Sequence, residues 1–185
     1  TWASNDYNQL NNLNQEWNNA LAQVQNVLQR RADLVPNLVN TVRGYAKHEK
    51  GTLDAVINAR AKATSVTIDP SKMTPQMFTA FQQAQGELSS ALARLMVVVE
   101  QYPNLKADRH FSDLMVQLEG TENRIAVERK SYNESAQRFN TKRNSFPTIL
   151  LVNFVPWFAK YTEKPFFQAD EKAQKAPVVD FGTNE

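Results

Sequence analysis

The sequence has no cysteine, and it has only two histidines and five glycines among its 185 residues. Without cysteine the chain cannot form disulfides, thiolate metal sites or a cysteine nucleophile. Five scattered glycines do not build phosphate-binding loops, and no P-loop, dinucleotide fingerprint, nucleophile elbow or zinc-protease motif occurs. Five glycines and eight prolines are also few for an all-β chain, which needs frequent turns. We therefore expect a mostly helical protein that is not an enzyme.

The two histidines are poorly placed for a metal site. A di-iron bundle requires Glu-x-x-His pairs on two helices, but the residues three positions before His48 and His110 are a tyrosine and an alanine. His110 and Asp113 share one helical face, but a single pair is a weak signal, and we favour a surface histidine near a helix start. We expect neither a metal nor a cofactor in this chain.

An excess of one charge is absent too, since 21 lysines and arginines stand against 19 aspartates and glutamates, for a net charge of +2. This balance argues against a nucleic-acid partner bound by bulk charge. No run of about 18 apolar residues occurs, which is the length that a membrane-spanning helix needs. The nearest stretch, residues 146–158, has 13 residues and contains two prolines. Because the first residue is Thr1 and not Met, we expect that a signal or an anchoring segment preceded it.

Apolar residues recur at steps of three and four along four segments, which is the spacing of amphipathic helices. The four segments are residues 6–31, 36–65, 76–102 and 108–142, with a polar loop at 67–75. We expect an all-α fold, namely an antiparallel bundle of about four long helices around one core. In this interpretation residues 6–181 form a single domain, and residues 1–5 are a linker from a missing N-terminal anchor. Residues 145–185 form an extended aromatic tail that packs on the bundle.

The first two segments are separated at Pro36. Proline disfavours helical geometry in the preceding residue and is well accommodated in the first turn of a new helix. One continuous helix through both segments would be about 90 Å long at 1.5 Å per residue, which is more than the later helices could cover. We therefore favour a tight reversal at residues 33–36, and a kinked, continuous helix is the alternative.

Charged and polar side chains interrupt the apolar stripes at five positions: Arg31, Glu49, Glu122, Arg129 and Asn133. Isolated buried charges are costly, so these side chains must pair, bind backbone or reach water. We expect a polar layer inside the bundle, in which Glu49 bonds to an arginine of another helix. Such a layer can fix the register of the helices, and we favour that role over ligand binding.

The tail is rich in aromatic residues, beginning with Phe146 and Phe154, and it also contains Lys160 and Lys164. The favoured interpretation is a tail that covers one end of the bundle. The alternative is a surface for membrane headgroups or for a protein partner, because tryptophan and tyrosine favour such interfaces. The candidate interface residues are Trp157, Phe158, Tyr161, Phe166 and Phe167.

Three longer stretches carry a family signature: RRADLVPNLVNTVRGYAKHE at residues 30–49, ARAKA at 59–63 and ENRIAVERKSYNESAQRFN at 122–140. Two shorter landmarks accompany them, the Phe-Pro pair at 146–147 and the Pro-Phe-Phe at 165–167. Together they resemble the LemA family in order and spacing. The resemblance covers residues 7–181, which is nearly the whole chain.

The resemblance implies a helical bundle domain that one hydrophobic N-terminal segment holds at the bacterial cell envelope, and it supplies no defined reaction. We therefore expect a membrane-anchored, non-catalytic interaction or assembly module, with an envelope protein as its partner. The resemblance implies localisation at the cell membrane, and we favour the periplasmic or extracytoplasmic side for the domain. The alternatives are a bundle that binds a small molecule or a metal through the polar layer, and an accessory regulator of a membrane protease.

Overall fold

The structure, a computed structural model, describes residues 1–168, and this part of the chain contains helices but no strand. Its six α-helices are α1 (Trp2–Tyr45), α2 (Lys50–Ser65), α3 (Pro75–Val99), α4 (Pro103–Ala107), α5 (Arg109–Asn144) and α6 (Thr148–Phe154), and a 3-10 turn covers Pro156–Phe158. The predicted all-α class is confirmed. The prediction of about four long helices was too simple, because the short helices α4 and α6 occur as well. Residues 169–185 of the predicted tail lie outside the described residues.

Helix α1 passes through Pro36, so the predicted reversal at residues 33–36 was wrong and the helix is continuous over 44 residues, about 66 Å. A proline inside a helix cannot donate to the carbonyl four residues earlier, which here belongs to Ala32. Arg60 of α2 replaces that hydrogen bond, because its Nε donates to the Ala32 carbonyl oxygen at 2.8 Å. This contact removes the main reason for the helix to end at the proline.

The chain reverses instead at residues 46–49. Helix α1 ends at Tyr45, and α2 begins at Lys50 with Glu49 in the preceding cap position. Within this turn the Glu49 N–H donates to the Ala46 carbonyl oxygen at 3.2 Å. Helix α2 therefore has only 16 residues, and it packs against both α1 and α3.

Helices α1 and α5 lie side by side. Three polar contacts join them near the beginning, the middle and the end of α1: Asp6 with Lys142, Arg31 with Glu122, and Tyr45 with Asp108. Residue numbers rise along α1 as they fall along α5, so the two helices are antiparallel.

The buried apolar residues form three clusters along this helix pair. The first joins the second half of α1 to α2, α3, α4 and the beginning of α5, and it includes Leu38, Val42, Leu53, Leu88 and Leu95. The second is rich in aromatic residues and includes Trp17, Phe78, Tyr132 and Phe167. The third lies near the beginning of α1 and includes Leu10, Phe139, Leu151, Phe158 and Tyr161. Residues after α5 thus contribute to the second and third clusters.

The segment after α5 is not extended throughout, since α6 and the 3-10 turn occupy its first part. Two asparagines of α5 bind the extended part through both the N–H and the carbonyl of one residue. Asn140 binds Lys164 in this way at 2.9 and 2.7 Å, and Asn133 binds Phe167 at 3.1 and 2.8 Å. The Tyr132 hydroxyl donates to the Pro165 carbonyl oxygen at 2.8 Å. These bonds explain why the face of α5 that meets the tail carries polar side chains.

Candidate functional site

Arg31 is a charged side chain inside the core, with 2% of its surface exposed. Its guanidinium crosses from α1 to α3, where it donates to Ser89 Oγ at 2.8 Å and to the Gln85 side chain and carbonyl at 2.7 and 3.2 Å. It also pairs with the Glu122 carboxylate of α5 at 3.3 Å. A buried cation is costly without such partners, and these contacts connect α1 with α3 and α5.

A cleft of about 390 Å³ opens beside Arg31, between α1, α3, α5 and residues 167–168 of the tail. Amide and hydroxyl side chains of α3 form much of its wall, together with Arg129 and Phe167. Arg31 already donates to acceptors of α3 and α5, so the geometry is that of a contact between helices. The described part of the chain also has no group of three His, Asp or Glu side chains that could hold a metal ion.

Glu49 does not join Arg31 and Glu122. It lies at the beginning of α2 and accepts a hydrogen bond from the Tyr102 hydroxyl at 3.0 Å, which raises the pKa of Tyr102. The expected bond from Glu49 to an arginine of another helix is therefore not formed. The physical reason is that α1 extends to Tyr45, which places the beginning of α2 at the far end of the helix pair.

Arg129 and Asn133 bind the tail instead of extending a layer across the helices. The Arg129 guanidinium lies 5.2 Å from the centre of the Phe167 ring and donates to the Gln168 carbonyl oxygen at 3.2 Å. The carbonyl groups of Phe167 and Gln168, which accept from Asn133 and Arg129, are 34 and 39 residues away in the sequence. Sequence reasoning therefore found the polar positions but missed their partner and missed Asn140. The available signal was the spacing of Asn133 and Asn140, which puts both on one face of a helix.

The five predicted interface residues divide into two groups. Phe158, Tyr161 and Phe167 are buried, with at most 6% of their surface exposed. They belong to the core and cannot form an interface in this structure. Trp157 and Phe166 are exposed by 69% and 46%. The same segment thus covers the helices and presents aromatic side chains outward.

Exposed apolar side chains collect at the end of the molecule where α1 begins. Helix α6 and the 3-10 turn pack there on the first turns of α1, since Thr148 donates to the Asp6 carboxylate at 2.8 Å. The Tyr7 and Phe158 ring centres are 5.5 Å apart at the same end. We name this surface the apolar end, and its residues, exposed by 43 to 80%, are Trp2, Phe146, Leu150, Phe154 and Trp157.

Of the apolar end, only Trp157 was among the predicted interface residues. Phe146 and Phe154 were noted as aromatic residues of the tail, and Trp2 and Leu150 were not singled out. Leu150 and Phe154 are four residues apart on the outer face of α6, whereas Leu151 and Val152 are buried on its inner face. This amphipathic pattern was visible in the sequence but was assigned to an extended tail. The place of Trp2 depends on where α1 begins, which the sequence pattern did not reveal.

Comparison with known families bears on the identity of this fold. The profile of the LemA family matches residues 20–181. The chain belongs to the LemA family. This finding confirms the resemblance carried by residues 30–49 and 122–140. None of the helices described in this LemA-family chain is both long and apolar enough to cross a bilayer.

Relatives with curated names match parts of the chain. The magnetosome proteins MamQ 1 and MamQ 2 of Paramagnetospirillum magneticum are each 31% identical over 96 residues, which cover 52% of this chain and 34% of the relative. The protein LemA of Metamycoplasma hominis is 26% identical over 141 residues, which cover 76% of this chain and 61% of the relative. The chain thus spans about a third of the MamQ proteins and about three fifths of that LemA protein. None of these names states a reaction.

Proposed function

We propose that this LemA-family chain is a non-catalytic helical module that works at a bacterial cell membrane and binds an envelope protein there. In this proposal the apolar end rests on the membrane surface, and the long helices extend away from it as an antiparallel bundle. A hydrophobic anchor of the kind that the family resemblance implied would join the chain where α1 begins, at the same end. We place the domain on the periplasmic or extracytoplasmic side of the membrane.

The exposure of the apolar end carries this proposal. Phe146 and Phe154 expose 80% and 79% of their surface, and Trp157 exposes 69%. Large exposed apolar patches mark interaction sites, and tryptophan is enriched at the boundary between lipid and water. Lys160 lies next to this end, 5.6 Å from the centre of the Tyr7 ring, and it supplies a positive charge for anionic headgroups. The names of the relatives, which state no reaction, support a module without catalytic activity.

Flotation with liposomes tests the membrane contact. We expect the wild-type chain to float with vesicles that contain anionic lipid, and the double variant Phe154→Ser/Trp157→Ser to remain in the dense fraction. The matched control is Val97→Ser/Val116→Ser, since these valines are 68% and 70% exposed on α3 and α5, outside the apolar end. The control should float as the wild type does.

All three proteins should unfold at nearly the same temperature, because substitutions of exposed side chains change stability little. A wild-type chain that stays unbound with every vesicle composition, or a Phe154→Ser/Trp157→Ser variant that floats normally, would overturn the proposed membrane contact.

The face of α5 that carries Val116 and Val127 supports the proposed contact with an envelope protein. These valines are exposed by 70% and 59%, and a spacing of 11 residues, about three turns, puts them on one face of the helix. A photo-crosslinking residue at either position in the full-length protein should capture the same envelope protein in cells. Crosslinks to lipid alone, or different products from the two positions, would contradict a partner bound along this face.

A further inference from the structure

A second pocket lies where α1, the loop after α2 and residues 160–164 meet, and it is separate from the cleft at Arg31. Its volume is about 480 Å³. Most of the residues that line it have polar side chains, including Asn11, Asn14 and Asn18 of α1 and Lys160 and Lys164 of the tail. The pocket thus brings two lysine side chains together.

Lys164 is the unusual side chain of this pocket. It is 9% exposed, and its ammonium lies 4.1 Å from the centre of the Trp17 ring and 4.6 Å from that of Phe139. The main chain of Lys164 binds Asn140, but within residues 1–168 its Nζ has no hydrogen bond or ion pair. An ammonium carries three donor hydrogens, and aromatic faces do not replace hydrogen-bond acceptors. Burial lowers the pKa of Lys164 to about 8.

The residues that line the pocket carry a net positive charge. The Lys160 ammonium lies 5.1 Å from the centre of the Tyr161 ring, and it forms no ion pair with a carboxylate among the described residues. The lining also contains the carboxylate of Asp69, which accepts from the N–H and the hydroxyl of Ser71 at 2.9 and 2.7 Å. Both bonds reach the Oδ1 atom of Asp69, and the two ammonium groups of the lining exceed its single carboxylate by one charge.

Asn18 adds a second requirement for a ligand. Its side-chain carbonyl oxygen is buried and has no hydrogen-bond partner in the described part of the chain. A ligand that suits the pocket therefore needs acceptors for Lys164 and a donor for Asn18. Inorganic phosphate has both near neutral pH, and glycerol 3-phosphate combines a phosphate with hydroxyl groups. Sulfate has the same charge and shape but no donor.

We propose that this pocket binds the phosphate group of a small phosphate ester. Lys164 is its buried cationic contact, Lys160 is the second cation, and Asn18 accepts a hydrogen bond from a hydroxyl of the ligand. The same chemistry occurs in a free ester and in the headgroup of phosphatidylglycerol. The segment that carries both lysines follows directly from the apolar end, so both sources belong in the test.

Tryptophan fluorescence reports on this pocket, because the Lys164 ammonium lies against the Trp17 ring. The exposed Trp2 and Trp157 are first replaced by phenylalanine, which leaves Trp17 as the sole tryptophan. Titration with glycerol 3-phosphate at constant ionic strength should change the emission in a saturable way, and sulfate should bind more weakly. Lys164→Met should lower the affinity on the order of tenfold or more. Lys47→Met, which removes an exposed charge near the end of α1, should leave the affinity unchanged.

A second experiment measures binding to phosphatidylglycerol vesicles, and it uses protein in which the Trp2 and Trp157 side chains are intact. If Lys164→Met weakens vesicle binding as well as ester binding, the headgroup is the ligand, and if it weakens ester binding alone, the ligand is a free ester. The absence of saturable binding, or equal affinities of the wild type and Lys164→Met for both probes, would overturn the proposal. Melting curves of each variant confirm that it is folded. Because Phe154→Ser/Trp157→Ser leaves the pocket intact, failure of the proposed membrane contact is distinguishable from failure of this pocket.

Discussion

Single side chains supply hydrogen bonds that the backbone of this molecule lacks. Pro36 has no N–H to offer the buried Ala32, and Arg60 donates to the Ala32 carbonyl from the next helix. A buried carbonyl left without a donor costs about 1–3 kcal/mol. The continuity of α1 therefore depends on a residue 28 positions further along the chain.

This dependence predicts coupling between Arg60 and Pro36. Arg60→Leu should lower the free energy of unfolding by about 1–3 kcal/mol, because the Ala32 carbonyl loses its donor. In a Pro36→Ala background the same substitution should cost less, since the introduced alanine supplies the helical N–H. Urea unfolding of the four proteins of the cycle measures the difference. The exposed Arg94→Leu serves as the control and should change stability by less than about 0.5 kcal/mol in either background. Strict additivity would rule out the proposed replacement of the hydrogen bond.

Lys164 predicts an unusual dependence of stability on pH. Its pKa is about 8 in the folded chain, against an ordinary value of 10.5, because the ammonium is buried. Between these two values the unfolded chain binds more protons, so the stability contributed by this group rises with pH. Lys164→Met should raise the melting temperature at pH 7 by a few degrees and reduce the gain in stability from pH 8 to pH 10. Thermal melts across this range measure both effects, and Lys47→Met should retain the wild-type pH dependence. An identical pH profile for Lys164→Met would show that burial does not perturb this amine.

At the scale of the helices, the periodic apolar stripes were sufficient to locate most of the secondary structure. The predicted third and fourth segments, 76–102 and 108–142, correspond closely to α3 and α5. The reversal was misplaced because a local signal, Pro36, is overridden by a side chain from another helix. The short helix α6 was missed because its amphipathic pattern was assigned to an extended tail. Local patterns thus predicted the elements, whereas long-range hydrogen bonds determined where they end.

The attachment of the tail to α5 is testable by proteolysis. Asn133 and Asn140 each bind the tail backbone through two hydrogen bonds. The double variant Asn133→Ala/Asn140→Ala should open this segment more often, so trypsin should cleave after Lys160 about tenfold faster. The control Asn123→Ala/Gln137→Ala changes two exposed positions of the same helix and should be cleaved at the wild-type rate. Equal rates for both double variants would mean that apolar contacts alone hold the tail.

At the scale of the whole molecule, the sequence indicated the all-α class and the family. It did not show which aromatic residues of the tail are exposed and which are buried. Trp157 and Phe158 are neighbours in the chain, yet one is 69% exposed and the other 3%. The 3-10 turn directs them to opposite sides, and hydropathy cannot distinguish them. The polar positions were recognised while their roles were not, since Arg31 and Arg129 line one cleft but bind different elements, and Glu49 lies apart from both at the beginning of α2.

The positions of the three tryptophans predict which end of the molecule contacts a membrane. Trp2 and Trp157 are exposed at the apolar end, whereas Trp17 is buried about 22 Å further along the helix from Trp2, at 1.5 Å per residue. In single-tryptophan variants bound to vesicles, brominated lipid chains should quench Trp2 and Trp157 strongly and Trp17 very little. Acrylamide, which is soluble in water, should quench Trp2 and Trp157 less in the presence of vesicles than in their absence. If the brominated chains quench all three tryptophans equally, or quench none of them while the protein floats, the molecule does not contact lipid through the apolar end. Contact through a long helical face would give the first of these results, and contact through headgroup charge alone would give the second.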